Sequence, residues 1–249
     1  MIEPPLIHTI EELSMNAWPA LHTLHDDGWV MCFANGYGRR ANAVYAHCAG
    51  NKALQEKIAA CESIYRSQRQ RIVFKLTKAS FPSDLDAVLA ANGYEAQAHT
   101  SVQYLELDPW SGAPSESVSL SEAISDEWLA AYACLSKINA TDAATHRQIL
   151  NGILLERCFA TISIQSRIIA CGLGVLQNGW AGFYDIRVNA AFRRQGHAQR
   201  LMTTMLAWAK AQGATRAYLQ VMLDNPPALA LYKKIGFQEA YRYWYRVKA

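Results

Sequence analysis

The sequence predicts a mixed α/β fold, a mostly antiparallel central sheet flanked by helices and present twice in degenerate form. The first observation behind this is a run of three apolar segments of strand length, Phe159 to Ile164, Ile168 to Leu176 and Trp180 to Val188. They are separated by Gln165-Ser166 and Asn178-Gly179, the second a strong hairpin signal, and so form an antiparallel meander. Second, a glycine-containing turn after Val188 opens a one-sided apolar helix, and strand, helix and strand follow. Third, Leu89-Ala90-Ala91-Asn92-Gly93-Tyr94-Glu95 lies over Tyr232-Lys233-Lys234-Ile235-Gly236-Phe237-Gln238. Each segment follows a strand and a helix and precedes an aromatic-rich terminal strand, the pattern of a tandem repeat.

Composition narrows the class. Apolar residues make up 51% and charged residues 18% of 249 positions, enough to bury a core of one large or two modest domains. The 24 Lys+Arg against 21 Asp+Glu leave a net charge of only +3, too weak a field for nucleic acid or membrane as the main partner. Met1-Ile2-Glu3-Pro4-Pro5 lacks the basic and apolar parts of a leader, and Ile168 to Leu176 is about half a bilayer span, so the expected location is cytoplasmic. Cys32, Cys48, Cys61, Cys134, Cys158 and Cys171 have no Cys-x-x-Cys spacing; neither a disulfide framework nor structural zinc is expected.

Asp108 to Ser117 holds two prolines, a glycine and three serines, the composition of a linker between residues 1–107 and 118–249. Before it, Thr9 and Glu12 have capping-box spacing for a first helix. Asp26-Asp27-Gly28 turns into the apolar stretch Trp29 to Ala34, and Asn35-Gly36-Tyr37-Gly38 reads as a hairpin loop with the return strand Arg39 to Ala46. Leu54, Ile58, Cys61, Ile64 and Tyr65 recur at helical spacing, Arg71 to Thr77 alternates as a strand, and Ser83 caps a helix ending at Gly93. After the linker come a short strand, Val118 to Leu120, and helices Asp126 to Ile138 and Ala143 to Leu155, started by Ser125 and Asp142. Behind the meander lie helix Ala198 to Gln212, stopped by Gly213, strand Arg216 to Met222, helix Pro227 to Ile235 and strand Glu239 to Val247.

The sharpest chemical signal is Val188-Asn189-Ala190-Ala191-Phe192-Arg193-Arg194-Gln195-Gly196-His197-Ala198, a strand entering a helix through a glycine loop. Consecutive backbone N–H groups at such a turn make a positive concavity in line with the helix dipole, suited to a pyrophosphate. Gly196 and Ala198 permit close approach, and Arg193 and Arg194 add charge. Here the chain resembles the GCN5-related N-acetyltransferase (GNAT) superfamily, whose phosphate loop reads Arg/Gln-x-x-Gly-x-Gly/Ala. The preceding Phe183-Tyr184-Asp185-Ile186-Arg187-Val188 is similar to the family's central strand. Asn225-Pro226-Pro227-Ala228-Leu229-Ala230-Leu231-Tyr232-Lys233-Lys234-Ile235-Gly236-Phe237 is similar to its later Asn-x-x-Ala-x-x-Leu-Tyr-x-x-x-Gly-Phe element. The resemblance covers residues 118 to 249; residues 1 to 107 carry only Gly50 where a phosphate loop would lie, and form a degenerate half.

The resemblance implies an acetyl-CoA-dependent N-acetyltransferase, an acyltransferase with acetyl-CoA as co-substrate and no metal. It implies that backbone groups around Ile186, Arg187 and Val188 pair with the pantetheine arm, and that Arg193, Arg194, Gln195, Gly196, His197 and Ala198 hold the pyrophosphate. Asn225 corresponds to a pantetheine contact, with a plain helix N-cap as the alternative. Tyr232 occupies the general-acid position, with an amphipathic core tyrosine as the alternative. Tyr184 and Asp185 are the candidates near the general base; strand alternation puts them on opposite faces unless a bulge intervenes, with Tyr184 as an acceptor-side wall and Asp185 held structurally. The His197 side chain reads as solvated.

In the first half, Asn35, Arg39, Arg40 and Asn42 crowd a hairpin that could hold an acceptor carboxylate or phosphate, or present a solvated face. His22 and His25 lack partners for a metal, and Trp18, Trp128, Trp208 and Trp244 read as core. The expected reaction is direct transfer of acetyl to a primary amine of a small molecule, amino acid, antibiotic or protein N-terminus. Longer acyl donors and the oligomeric state stay open. The alternative is a CoA-binding regulatory module without turnover; a nucleotide-binding protein fits less well, because neither glycine-rich nucleotide motif is present.

Overall fold

The computed structural model describes residues 4–248, so Met1, Ile2 and Glu3 of the opening segment lie outside the described residues. The first half runs α1 (Pro4–Ala17), β1 (His22–Asp26), β2 (Trp29–Phe33), β3 (Val44–Tyr45), α2 (Leu54–Ser67), β4 (Val73–Thr77), α3 (Leu85–Ala91) and β5 (Glu95–Glu106). The second runs β6 (Ser119–Ser121), α4 (Asp126–Ser136), α5 (Ala140–Asn151), β7 (Arg157–Ile164), β8 (Arg167–Gln177), β9 (Trp180–Val188), α6 (His197–Ala211), β10 (Arg216–Met222), α7 (Pro226–Ile235) and β11 (Gln238–Val247). No helix among the described residues is long and apolar enough to cross a membrane.

All the strands form one sheet, in the order β1-β2-β3-β4-β11-β5-β10-β9-β8-β7-β6. Its pairings are antiparallel except β3 with β4 and β9 with β10, the two that need a crossover helix, here α2 and α6. The order is pseudo-twofold about the central β11–β5 pair, and the repeat seen in the sequence falls on matching places, the helix-to-strand junctions α3–β5 and α7–β11. The terminal strands are exchanged: β11 pairs with β4 of the first half, and β5 with β10 of the second. The connection 108–117 returns along α6, where Lys210 Nζ donates to the carbonyls of Asp108 and Trp110, and Thr204 Oγ1 accepts the Ser115 N–H.

Strand alternation divides the core. In β9, Phe183 joins the cluster under α6 and α7, whereas Tyr184 joins the cluster shared by α1, α4 and α5. In β11, Tyr241, Tyr243 and Tyr245 face the α1 side while Trp244 packs against the third cluster, under α2 and α3. Helix α1 ties the halves together through a polar stripe. Glu11 accepts from Lys75 Nζ of β4 and from Tyr241 Oη of β11 (2.7 Å), and Ser14 Oγ accepts from Gln220 Nε2 of β10 (2.6 Å). Trp18 and Trp128 are buried, and Trp208 and Trp244 are partly so.

Several local expectations are corrected. Thr9 lies inside α1 and its hydroxyl bonds back to the Pro5 carbonyl, so it is no cap. Asp84, not Ser83, precedes α3. Helix α5 begins earlier than expected because Asn139 caps it, its Oδ1 accepting the Asp142 N–H at 2.8 Å. Only Val44–Tyr45 of the expected return strand pairs with β2; residues 34–43 are wound around the buried Asn42 amide instead. His22 to Asp26, left unassigned in the sequence, is β1.

The two crossover loops differ chemically. Between β3 and α2, the Asp27 carboxylate accepts the N–H groups of Asn51 (2.8 Å) and Lys52 (3.0 Å). Those backbone bonds, opposed by burial and helped by Lys57, lower its pKa to about 2. A Cβ at Gly50 would meet this carboxylate at 1.9 Å. The first half therefore fills its own anion-binding turn.

Candidate active site

The counterpart turn in the second half is open. Asn189 caps a short 3-10 turn, Ala190–Phe192, and the chain then takes left-handed conformations at Arg194 (φ 64°) and Gly196 (φ 80°) before α6 begins. Among the described residues no acceptor is paired with the amides of residues 194 to 199, the unsatisfied donors of a helix start. Arg193, Arg194, Gln195 and Gly196 are exposed. His197 is not: it is 7% exposed, packs on Phe192, and its Nδ1 accepts from Arg200 Nη2 at 2.9 Å. Burial and then the Arg200 charge lower its pKa, so its side chain is an internal neutral acceptor and not the solvated group the sequence suggested.

Strand β9 splays from β10. The parallel pairing runs from Trp180/Arg216 only to Phe183/Leu219, so among the described residues the facing edge of β9 from Tyr184 to Val188 has no partner strand. On its other edge the register with β8 slips between Tyr184 and Arg187, and Asp185 sits at φ 55°, a bulge that breaks the parity argument. Tyr184 and Asp185 consequently face the same aromatic cluster. Tyr184 is 5% exposed, its hydroxyl 2.7 Å from that of Tyr218 and its ring stacked on Trp18. Asp185 Oδ2 lies 2.7 Å from Nε2 of His146, a fully enclosed side chain of α5 stacked on Tyr132 at 4.1 Å. Beyond the bulge, Ile186 packs toward Leu201 and Met205 of α6, Val188 joins the same cluster, and Arg187 Nε donates to Ser136 Oγ of α4 (3.0 Å).

Tyr232 of α7 is 7% exposed and packs edge-on to Phe237. Burial pushes its pKa up to about 12, partly offset by the Arg187 charge, so at neutral pH it is a phenol that donates. Its hydroxyl has no protein partner among the described residues and is not among the occluded polar atoms. Asn225 is the N-cap of α7, Oδ1 accepting the Ala228 N–H at 3.3 Å, which leaves its Nδ2 for other use.

Comparison with known proteins fits this geometry. Residues 6–246, nearly the whole chain, match the family described as "Probable histone acetyltransferase Rv0428c C-terminal". The chain belongs to that family, and so to the GNAT acetyltransferases. It is 25% identical to the uncharacterized N-acetyltransferase YobR of Bacillus subtilis over 97% of this chain and 98% of that one. In fold it resembles a GCN5-related N-acetyltransferase from Kribbella flavida, with a TM-score of 0.68 at 14% identity over 96% of this chain and 94% of that one. It also resembles a tandem GNAT protein from the clavulanic acid biosynthesis pathway, with a TM-score of 0.60 at 16% identity over 78% of this chain and 69% of that one.

In this GNAT chain the first half also reaches the face of Tyr184 and Asp185. The first-half loop 34–42 reaches α5, where Asn35 Nδ2 donates to Thr145 Oγ1 (3.2 Å) and the Tyr37 ring lies 5.7 Å from His146. His146 was absent from the sequence reading. Its signal is a histidine one turn before the apolar pair Ile149 and Leu150, a polar group on the buried helix face that needs a partner. Asn42 is structural, Arg39 reaches out to Gln97 Oε1 (3.0 Å), and Arg40 turns inward. His22 and His25 are exposed on β1, and no group of three or more His, Cys, Asp or Glu among the described residues has the arrangement of a metal site.

Proposed function

We propose that this GNAT protein transfers the acetyl group of acetyl-CoA directly to a primary amine. The observation that carries the reading is the row of unpaired amides from Arg194 to Gln199 beside the unpaired edge of β9, a combination suited to a pyrophosphate followed by an amide-bearing arm. When bound, acetyl-CoA supplies an acyl group activated as a thioester. Arg193, Arg194, Gln195, Gly196 and Ala198 hold its pyrophosphate, His197 contributes its backbone N–H, and Ile186, Arg187 and Val188 offer backbone groups to the pantetheine, with Asn225 Nδ2 beside it. A β9 backbone N–H polarises the carbonyl that the amine attacks. Asp185, oriented by His146, takes the proton the amine loses, Tyr184 forms part of the acceptor wall, and Tyr232 protonates the departing thiolate.

Calorimetric titration with acetyl-CoA tests the central claim without an acceptor. Binding on the order of micromolar is expected, at one molecule per chain because Asp27 fills the other turn, and an Arg194→Glu/Gly196→Trp variant should lose it. No binding to the unaltered protein would refute the reading. For Tyr232→Phe we expect acetyl-CoA affinity to persist while kcat falls about 10²-fold. Unchanged kcat would remove Tyr232 from catalysis, and absence of turnover in every amine tested would favour a CoA-binding module.

A further inference from the structure

Among the described residues, no carboxylate forms an ion pair with Arg40. Its loop is held rigid by Asn42, whose Oδ1 accepts the N–H groups of Ala34 (2.7 Å) and Gly36 (3.0 Å) and whose Nδ2 donates to the carbonyls of Tyr37 and Gly38 (both 2.8 Å). The Arg40 carbonyl is itself pinned by the Tyr45 hydroxyl at 2.6 Å. From this loop the guanidinium reaches across the site, its Cζ 5.2 Å from the Tyr184 ring and 5.7 Å from the Trp18 ring. Its Nε is occluded and has no hydrogen-bond partner among the described residues, although the side chain keeps part of its surface open. Aromatic faces attract the charge but do not satisfy its N–H groups, and a donor stripped of water without an acceptor is costly. The carboxylates on this side are engaged elsewhere, Glu11 by Lys75 and Tyr241, Asp185 by His146.

We propose that Arg40 binds a carboxylate of the acceptor, which makes the substrate class an amine that also bears a carboxylate. This rests on the acyl-transfer reading and assigns recognition to the first half of the chain. Trp18 stands between the two functions, stacked on Tyr184 at 6.0 Å and lying 5.5 Å from the His146 ring, so Arg40 and the Asp185–His146 pair share one aromatic wall. A planar guanidinium matches a carboxylate with two parallel hydrogen bonds. A phosphate would call for more donors than are free here: Asn42 takes the loop amides of Ala34 and Gly36, and Lys75 is held by Glu11.

The test uses the full chain with Arg40→Gln and Arg40→Lys. Calorimetry with acetyl-CoA comes first, to show that each variant is folded and keeps its donor site. Thiol release is then followed with free α- and ω-amino acids, their matched carboxamides, and phosphoethanolamine. Free acids are expected to exceed their amides by about 10- to 100-fold in kcat/KM, mostly through KM. Arg40→Gln should erase that preference and Arg40→Lys restore part of it. Equal use of acids and amides, preference for phosphoethanolamine, no turnover of any acid, or a preference that survives Arg40→Gln would overturn the proposal. If Arg40→Gln loses acetyl-CoA binding, Arg40→Lys carries the comparison, and an undiminished preference there overturns it. Failure of the unaltered protein to bind acetyl-CoA would instead bring down the acyl-transfer reading, and this proposal with it.

Discussion

Replacing Lys75 by Met is expected to destabilise the protein by about 3–5 kcal/mol, measured as a lower midpoint in urea unfolding. Lys75 and Glu11 are 1% and 2% exposed at their side chains, and no other cation forms an ion pair with Glu11 among the described residues. Met fills the volume of the lysine stem but leaves the Glu11 carboxyl without its counter-ion in a setting that excludes water. The Tyr241 hydroxyl, 2.7 Å from Glu11 Oε1, cannot replace a full positive charge. The double variant Glu11→Gln/Lys75→Met should recover most of the loss, because glutamine keeps an acceptor for Tyr241 and removes the orphaned charge. If the single and double variants unfold at the same midpoint, the ion pair is not what the core requires. The prediction also reports on how the halves are joined, since α1 reaches β4, β10 and β11 through this stripe.

Asp185→Asn is expected to lower kcat by about 10²- to 10⁴-fold while leaving acetyl-CoA affinity and the unfolding midpoint close to those of the unaltered protein. Asparagine is a clean probe here. It tolerates the left-handed backbone at φ 55° and still offers an oxygen to His146, so the change removes mainly the carboxylate proposed as the proton acceptor. The readout is thiol release with an acceptor that the unaltered enzyme uses. A kcat within twofold would leave Asp185 with only the structural role that the sequence suggested, and Tyr184 with its neighbours would have to supply the base.

Much of the site was legible in the primary structure because it is local. The strand β9, the turn with its glycine and arginines, and the helix α6 form one continuous stretch, and the bounds Trp180–Val188 and Arg216–Met222 follow from apolar runs closed by turn residues. Caps were less legible. Ser125 starts α4 as expected, but Asn139 displaced Asp142 at α5 because both are good caps three residues apart, and only the backbone path selects between them. The return strand after Gly38 failed for a different reason: one buried amide, that of Asn42, satisfies enough backbone groups to hold a loop where alternation implied a strand.

The sequence by itself determined the α/β class, the duplicated pattern, the family, and the glycine-containing turn at Arg193 to Ala198 that opens a helix, because each depends on contiguous residues with fixed periodicity. Only the tertiary structure decided that the halves exchange terminal strands, that a bulge turns Tyr184 and Asp185 to one face, that His146 meets Asp185 at 2.7 Å from 39 positions away, and that Arg40 enters the same cluster from the first half. These are pairings of groups distant in the chain. They are selected by the need to satisfy buried charges and backbone groups, and no local pattern of residues encodes where such a partner comes from.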